Sequence, residues 1–120
     1  MAQYHEPTDE LDTETRDMVR ALTSLKEEIE AVTWYQQRVS AGAEKELSEI
    51  LAHNRDEEIE HACMALEWLR RNMSAWDENL KTYLFSDQPI TELEELEEEE
   101  DKSQTTSGGD LGIGDMSTNN

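Results

Sequence analysis

The chain is poor in the residues that mark secreted, membrane-spanning or nucleic-acid-binding proteins. It has a single cysteine, Cys63, so no internal disulfide can form, and this usage points to the cytoplasm. No N-terminal stretch couples a basic start to an apolar core, so no signal peptide is expected. No apolar run approaches the ~18–20 residues a membrane helix needs. Lys and Arg number 10 against 30 Asp and Glu, a formal net charge of −20 over 120 residues. Such a field repels phosphate backbones and anionic membranes and attracts cations, although much of it is simply a solvated acidic surface. Proline occurs twice and glycine five times, and between residues 8 and 85 the only breaker of either kind is Gly42.

What fills that long stretch is helical periodicity. Leu11, Thr15, Met18, Leu22, Leu25, Ile29 and Val32 step by four and three, and the pattern runs on to Tyr35 and Val39. It predicts a first helix of about 30 residues, or about 45 Å, with Thr8 of "HEPTDE" as its cap. "SAGAE" breaks the pattern at Gly42 and is short enough to return the chain antiparallel. A second helix is predicted over about residues 44–72, and a short third one, "AWDENLKTYLF", capped by Ser74. Residues 1–86 therefore read as one helical domain. Residues 87–120 contain a glutamate run at 92–100 and too little apolar surface to offset chain entropy, so they are expected to be largely disordered. Repulsion within that run would hold the tail extended; concentrating iron is the less favoured role. Near the end, "DLGIGDM" alternates Leu111 and Ile113 with glycines before Met116. It is either an extended peptide for a groove or an accidental apolar fleck.

Two helices cannot bury this much apolar surface alone. The second also carries Ile59, Ala62, Cys63, Leu66, Leu69 and Met73, and small single cores are marginal. A two-fold copy is the simplest partner, and two hairpins make an all-α four-helix bundle. Cys63 lies roughly 200° around the helix from His61 and is expected to be an inert core thiol.

The polar members of the buried stripes then stand out. "HNRDEEIEHACM" continues the stripe Leu47, Leu51, Asn54, Glu58, His61, Ala65, Trp68. Glu28 sits in the series Met18, Ala21, Leu25, Glu28, Val32, Tyr35, Val39. Burying these groups is costly unless something binds them, and the E-x-x-H spacing of Glu58 and His61 projects both from one face. Di-iron carboxylate bundles take a Glu from each of two helices and an E-x-x-H from each of the other two. One chain supplies half of that set, and a two-fold dimer completes it. Carboxylates with imidazole suit Fe(II), Mn(II) or Zn(II); a merely satisfied Glu–His pair is the competing reading. Tyr35 either assists the site or fills the core with its hydroxyl on a carboxylate. Glu57 lies off the stripe and is expected to form a surface pair with His53. Glu27, Glu30 and Trp34 share another face, either a loose cation site or plain acidic surface.

Three stretches, "SLKEEIEAVTWYQQRV", "ILAHNRDEEIEHACMALEWLRRN" and "LKTYLFSDQPIT", cover most of residues 5–91. Through them the sequence resembles the encapsulated ferritins, the ferritin-like cargo of encapsulin nanocompartments. The resemblance implies a two-helix protomer with a short C-terminal helix that dimerises into a ferritin-like bundle and assembles as a pentamer of dimers, a ring-shaped decamer. It implies a ferroxidase centre between two chains, with Glu28, Glu58 and His61 as ligands of a di-iron site and Tyr35 beside it. Glu27, Glu30 and Trp34 match the place where metal first enters in that family. "GGDLGIGDM" resembles the peptide that docks cargo in the shell, through Leu111, Ile113 and Met116, but ends in "STNN" rather than in basic residues. Gln36 stands where an acid can occur in relatives.

The function so implied is oxidation of Fe(II) to Fe(III), with the product stored as mineral inside the encapsulin shell. A non-redox divalent-metal buffer and an acidic helical adaptor are the alternatives. A haemerythrin-like oxygen carrier is disfavoured, because three histidines are too few for its site.

Overall fold

The computed structural model describes residues 4–106, all of whose regular elements are helical. A 3-10 turn at Thr8–Glu10 precedes α1 (Thr13–Ala41), α2 (Lys45–Asn72), α3 (Ser74–Tyr83) and α4 (Ile90–Thr106). The chain forms two compact units that part between Leu69 and Arg70, inside α2. No helix among the described residues is long and apolar enough to cross a membrane.

In the first unit, α1 begins later than the sequence suggests. Asp12, not Thr8, is its cap, accepting the Thr15 N–H at 2.7 Å. That bond holds the Asp12 carboxyl below the usual carboxylate range. Thr8 instead opens the 3-10 turn behind Pro7, and Leu11 is extended, which breaks the helix before Asp12. Both residue types can cap, but a carboxylate also gains from the positive end of the helix. At the other end Gly42 has φ 88° with nothing within 4 Å of a Cβ placed there, so conformation rather than space calls for glycine. The Glu44 carboxylate then accepts the N–H groups of Glu46 and Leu47 at 2.8 and 3.3 Å, opening α2.

The return is antiparallel: Arg55 donates to the Gln36 side chain at 2.9 Å, and further along α2 His61 meets Glu28, earlier on α1. Only Leu69 of the apolar residues described is fully buried. Leu47, Ile50, Met64 and Trp68 on α2, and Leu22, Ile29 and Trp34 on α1, are exposed. Cys63 is exposed too, against the expected core thiol, because the helix side that carries it is not covered within the chain.

In the second unit α3 starts at Ser74, but Met73 holds the cap position and no side chain bonds the end of the helix. Asp77 is buried, bound to Arg70 at 2.5 Å and Lys81 at 2.8 Å. Phe85, just past α3, has φ 58° and a fully exposed ring. Residues 90–106, expected without regular structure, are helical as α4. Three local features favour this. Glu is a good helix former, Pro89 fits just ahead of a first turn, and its carbonyl accepts from Glu92 and Leu93 at 3.0 and 3.3 Å. Leu93 and Leu96 line a cleft of about 520 Å³ with Lys81 and Thr82 of α3. Burial, and then the carboxylates of Glu94, Glu97 and Glu98, push the Tyr83 phenol above its ordinary value. The peptide with Leu111, Ile113 and Met116 lies outside the described residues.

Candidate metal centre

Antiparallel pairing brings the middle of α1 against the middle of α2, and the polar residues of the two stripes meet there. His61 Nδ1 lies 3.6 Å from Glu28 Oε2 and 3.7 Å from Glu58 Oε1. One ligand atom from each of the three residues falls within 4.8 Å of the others, the only such trio of His, Cys, Asp or Glu among the described residues. The carboxylates of Glu28 and Glu58 are about three-quarters covered and His61 about half.

The electrostatics are those of ligands crowded together. The Glu58 carboxyl is pushed up, chiefly by its hydrogen bond with the Glu28 carboxyl, then by burial and the Glu28 charge, with His61 pulling the other way. Two carboxylates this close repel each other when both are ionised. A divalent cation relieves that repulsion, and imidazole supplies a nitrogen donor. Oxygen and nitrogen donors of this kind suit iron, manganese or zinc.

The other sequence candidates fall around the trio. Glu57 lies outside it and pairs with His53 at 3.6 Å on the exposed surface, as expected. Tyr35, two turns beyond Glu28, is half-buried with the Arg38 guanidinium 5.3 Å from its ring centroid. Glu27, Glu30 and Trp34 are exposed on α1. Gln36 is engaged by Arg55, a bond whose only signal in the sequence was the antiparallel register.

Sequence reasoning also missed what lies on the other side of the trio. One turn from Glu28 and His61, Ser24 and Ala65 begin an open groove of about 440 Å³, continued by Ala21 and Trp68 and ended by Asp17 and Arg20. Asp17 and Arg20 pair at 2.7 Å. Small residues on facing helix stripes were the only hint of this hollow.

A family model described as EncFtn-like matches residues 3–87. A "Ferritin-like protein" of Thermotoga maritima is 62% identical over 111 residues, covering 92% of this chain and 95% of the relative. An "Encapsulated ferritin-like protein" of Rhodospirillum rubrum is 54% identical over 110 residues, covering 92% of this chain and 76% of the relative. Among solved structures, the crystal structure of protein ne0167 from Nitrosomonas europaea is similar with a TM-score of 0.71 and 63% identity, over 72% of this chain and 96% of that one.

Proposed function

The chain belongs to the EncFtn-like family, the encapsulated ferritins, and from that premise we propose that it is a ferroxidase that oxidises Fe(II) to Fe(III) at a site shared by two chains. The observation that carries this reading is the approach of Glu28, Glu58 and His61 to within 4.8 Å. That is half of a di-iron carboxylate set, and it sits on a hairpin whose exposed apolar residues call for a partner. A two-fold copy brings four carboxylates and two imidazoles to one place. Dimers of this kind assemble further into a ring, a pentamer of dimers.

Iron is the substrate. Glu27, Glu30 and Trp34, open to solvent, collect Fe(II) and pass it inward. Glu28, Glu58 and His61 of both chains would hold two ions, with Tyr35 lending a hydrogen bond beside them. Raising the charge of iron from two to three is favoured by anionic ligands. Each iron gives up one electron, so a pair reduces one dioxygen to the peroxide level or one peroxide to water. Residues 87–120 carry the acidic segment and a docking peptide in which Leu111, Ile113 and Met116 seat the protein inside an encapsulin shell, where Fe(III) is stored as mineral.

The test is to mix the protein with Fe(II) under air and follow Fe(III) formation beside Glu58→Ala. Fast oxidation by the parent and background oxidation by the variant are expected. Equal, slow rates in both would sink the ferroxidase and leave a metal buffer or a helical adaptor.

A further inference from the structure

The candidate metal centre depends on how closely α1 and α2 are held together, because His61 Nδ1 and Glu28 Oε2 face each other across the seam at 3.6 Å. The turn at Gly42 joins the two helices at one end only. Glu28 lies fourteen residues before Gly42, about 21 Å of helix. At that distance a splay of roughly five degrees about the turn displaces Glu28 by about 1.8 Å. Packing holds the far side of the centre, where Leu69 is fully buried. On the near side it is thinner: Ile29 on α1 and Leu47 and Ile50 on α2 are about half exposed.

A directional contact stands on that near side. Arg55 Nε and Nη2 both lie 3.1 Å from Asp56 Oδ1, so the neighbouring carboxylate holds one edge of the guanidinium. A planar fork fixed on one edge aims its remaining nitrogen in one direction. That nitrogen, Nη1, crosses the seam and donates to Gln36 Oε1 on α1 at 2.9 Å. The Arg55 side chain is 25% exposed. Along α2 it stands three residues before Glu58 and six before His61, about 4.5 and 9 Å.

We infer that Arg55 is a positioning residue for the metal centre: fixed by Asp56 and bonded to Gln36, it braces α2 against α1 so that Glu58 and His61 stay opposite Glu28. The inference rests on the metal-binding reading of that trio and not on its redox chemistry. Arg55 acts through Glu58 and His61 rather than on the metal. The brace and the buried Leu69 bracket the centre, one on each side, so the ligands are held before any ion arrives. Their ordering is then not charged against metal affinity.

The experiment measures Zn(II) affinity by competition with a coloured chelator, so that it does not depend on iron oxidation. Gln36→Leu keeps the bulk of the side chain and removes the acceptor. It should weaken Zn(II) binding by about tenfold, the lower end of what groups that orient metal ligands contribute. Gln36→Glu restores an acceptor with a charge-assisted bond and should stay within about threefold of the parent. Both variants should sediment as the parent does. Their metal-free melting should barely move, since substitutions at exposed positions have small effects on stability. Gln36→Leu at parental affinity, Gln36→Glu as weak as Gln36→Leu, or an affinity loss matched by lost assembly or melting would each overturn the positioning role. A parent that binds Zn(II) but oxidises no Fe(II) would remove the ferroxidase and leave the brace. A parent that binds no Zn(II) would overturn the brace together with the centre it serves.

Discussion

Arg70 near the end of α2 and Asp77 in the first turn of α3 meet at 2.5 Å, and Lys81 holds the other oxygen of the same buried carboxylate at 2.8 Å. The junction between the two helices is thus tied by one acid and two bases. Lys81 first, then Arg70, draws the Asp77 pKa below its ordinary value against the opposing pull of burial. A depressed carboxylate contributes stability above the unfolded value of about 3.9, and that contribution is lost as pH falls through the folded value. Asp77→Asn should therefore melt below the parent at pH 7, with the gap closing as pH is lowered beneath 4. A constant gap from pH 7 to pH 3 in thermal melts would contradict this.

Leu69 is the one fully buried apolar residue described. Truncation to alanine removes three carbons that have no water to return to, and Leu→Ala changes in cores cost about 2–5 kcal/mol. Denaturant unfolding of Leu69→Ala should show a loss in that range, measured at one fixed protein concentration because association also stabilises.

Zn(II) gives the candidate metal centre a readout without redox chemistry. A ligand at a hundredfold its dissociation constant stabilises the state that binds it by about 2.7 kcal/mol. Zn(II) should raise the melting temperature of the parent and of Glu57→Gln, whose carboxylate pairs with His53 instead. His61→Ala should lose most of the rise. A Glu57→Gln variant that lost the effect while His61→Ala kept it would reassign the ligands.

Tyr83 reports on α4. Burial is the largest cause of its raised pKa, followed by Glu94, Glu97 and Glu98. Exchanging those three for glutamine should bring the phenol part of the way down towards 10, with burial keeping the remainder. Alkaline titration at the phenolate absorbance, with Tyr83→Phe subtracted, measures it; an unmoved titration would mean that α4 does not lie against Tyr83.

What could be read in advance followed from spacing. Glu28, Glu58 and His61 interrupt apolar stripes at helical intervals, so once Gly42 turns the chain back they can meet. Thr8 is the cap the sequence suggests for α1, but Asp12, four residues on in the same acidic stretch, takes that place because the extended backbone of Leu11 breaks the helix before it. The stretch with the glutamate run has too little apolar surface, read from sequence, to offset chain entropy. Helix propensity and Pro89 act in the other direction, and Leu93 and Leu96 line a cleft shared with α3. The burial of Asp77 was not legible in the sequence, because Arg70 reaches it across the break between α2 and α3.

Phe85 holds a left-handed backbone with its ring wholly in solvent. For an L residue with a bulky side chain that conformation costs about 1–2 kcal/mol over glycine, and the ring recovers none of it inside its own chain. In evolutionary terms the position is under pull: mutation offers glycine or asparagine as the easier occupant. A lineage that keeps phenylalanine there keeps it for the ring, so the rate at which this one site drifts is a measure of how much the ring matters to whatever meets it.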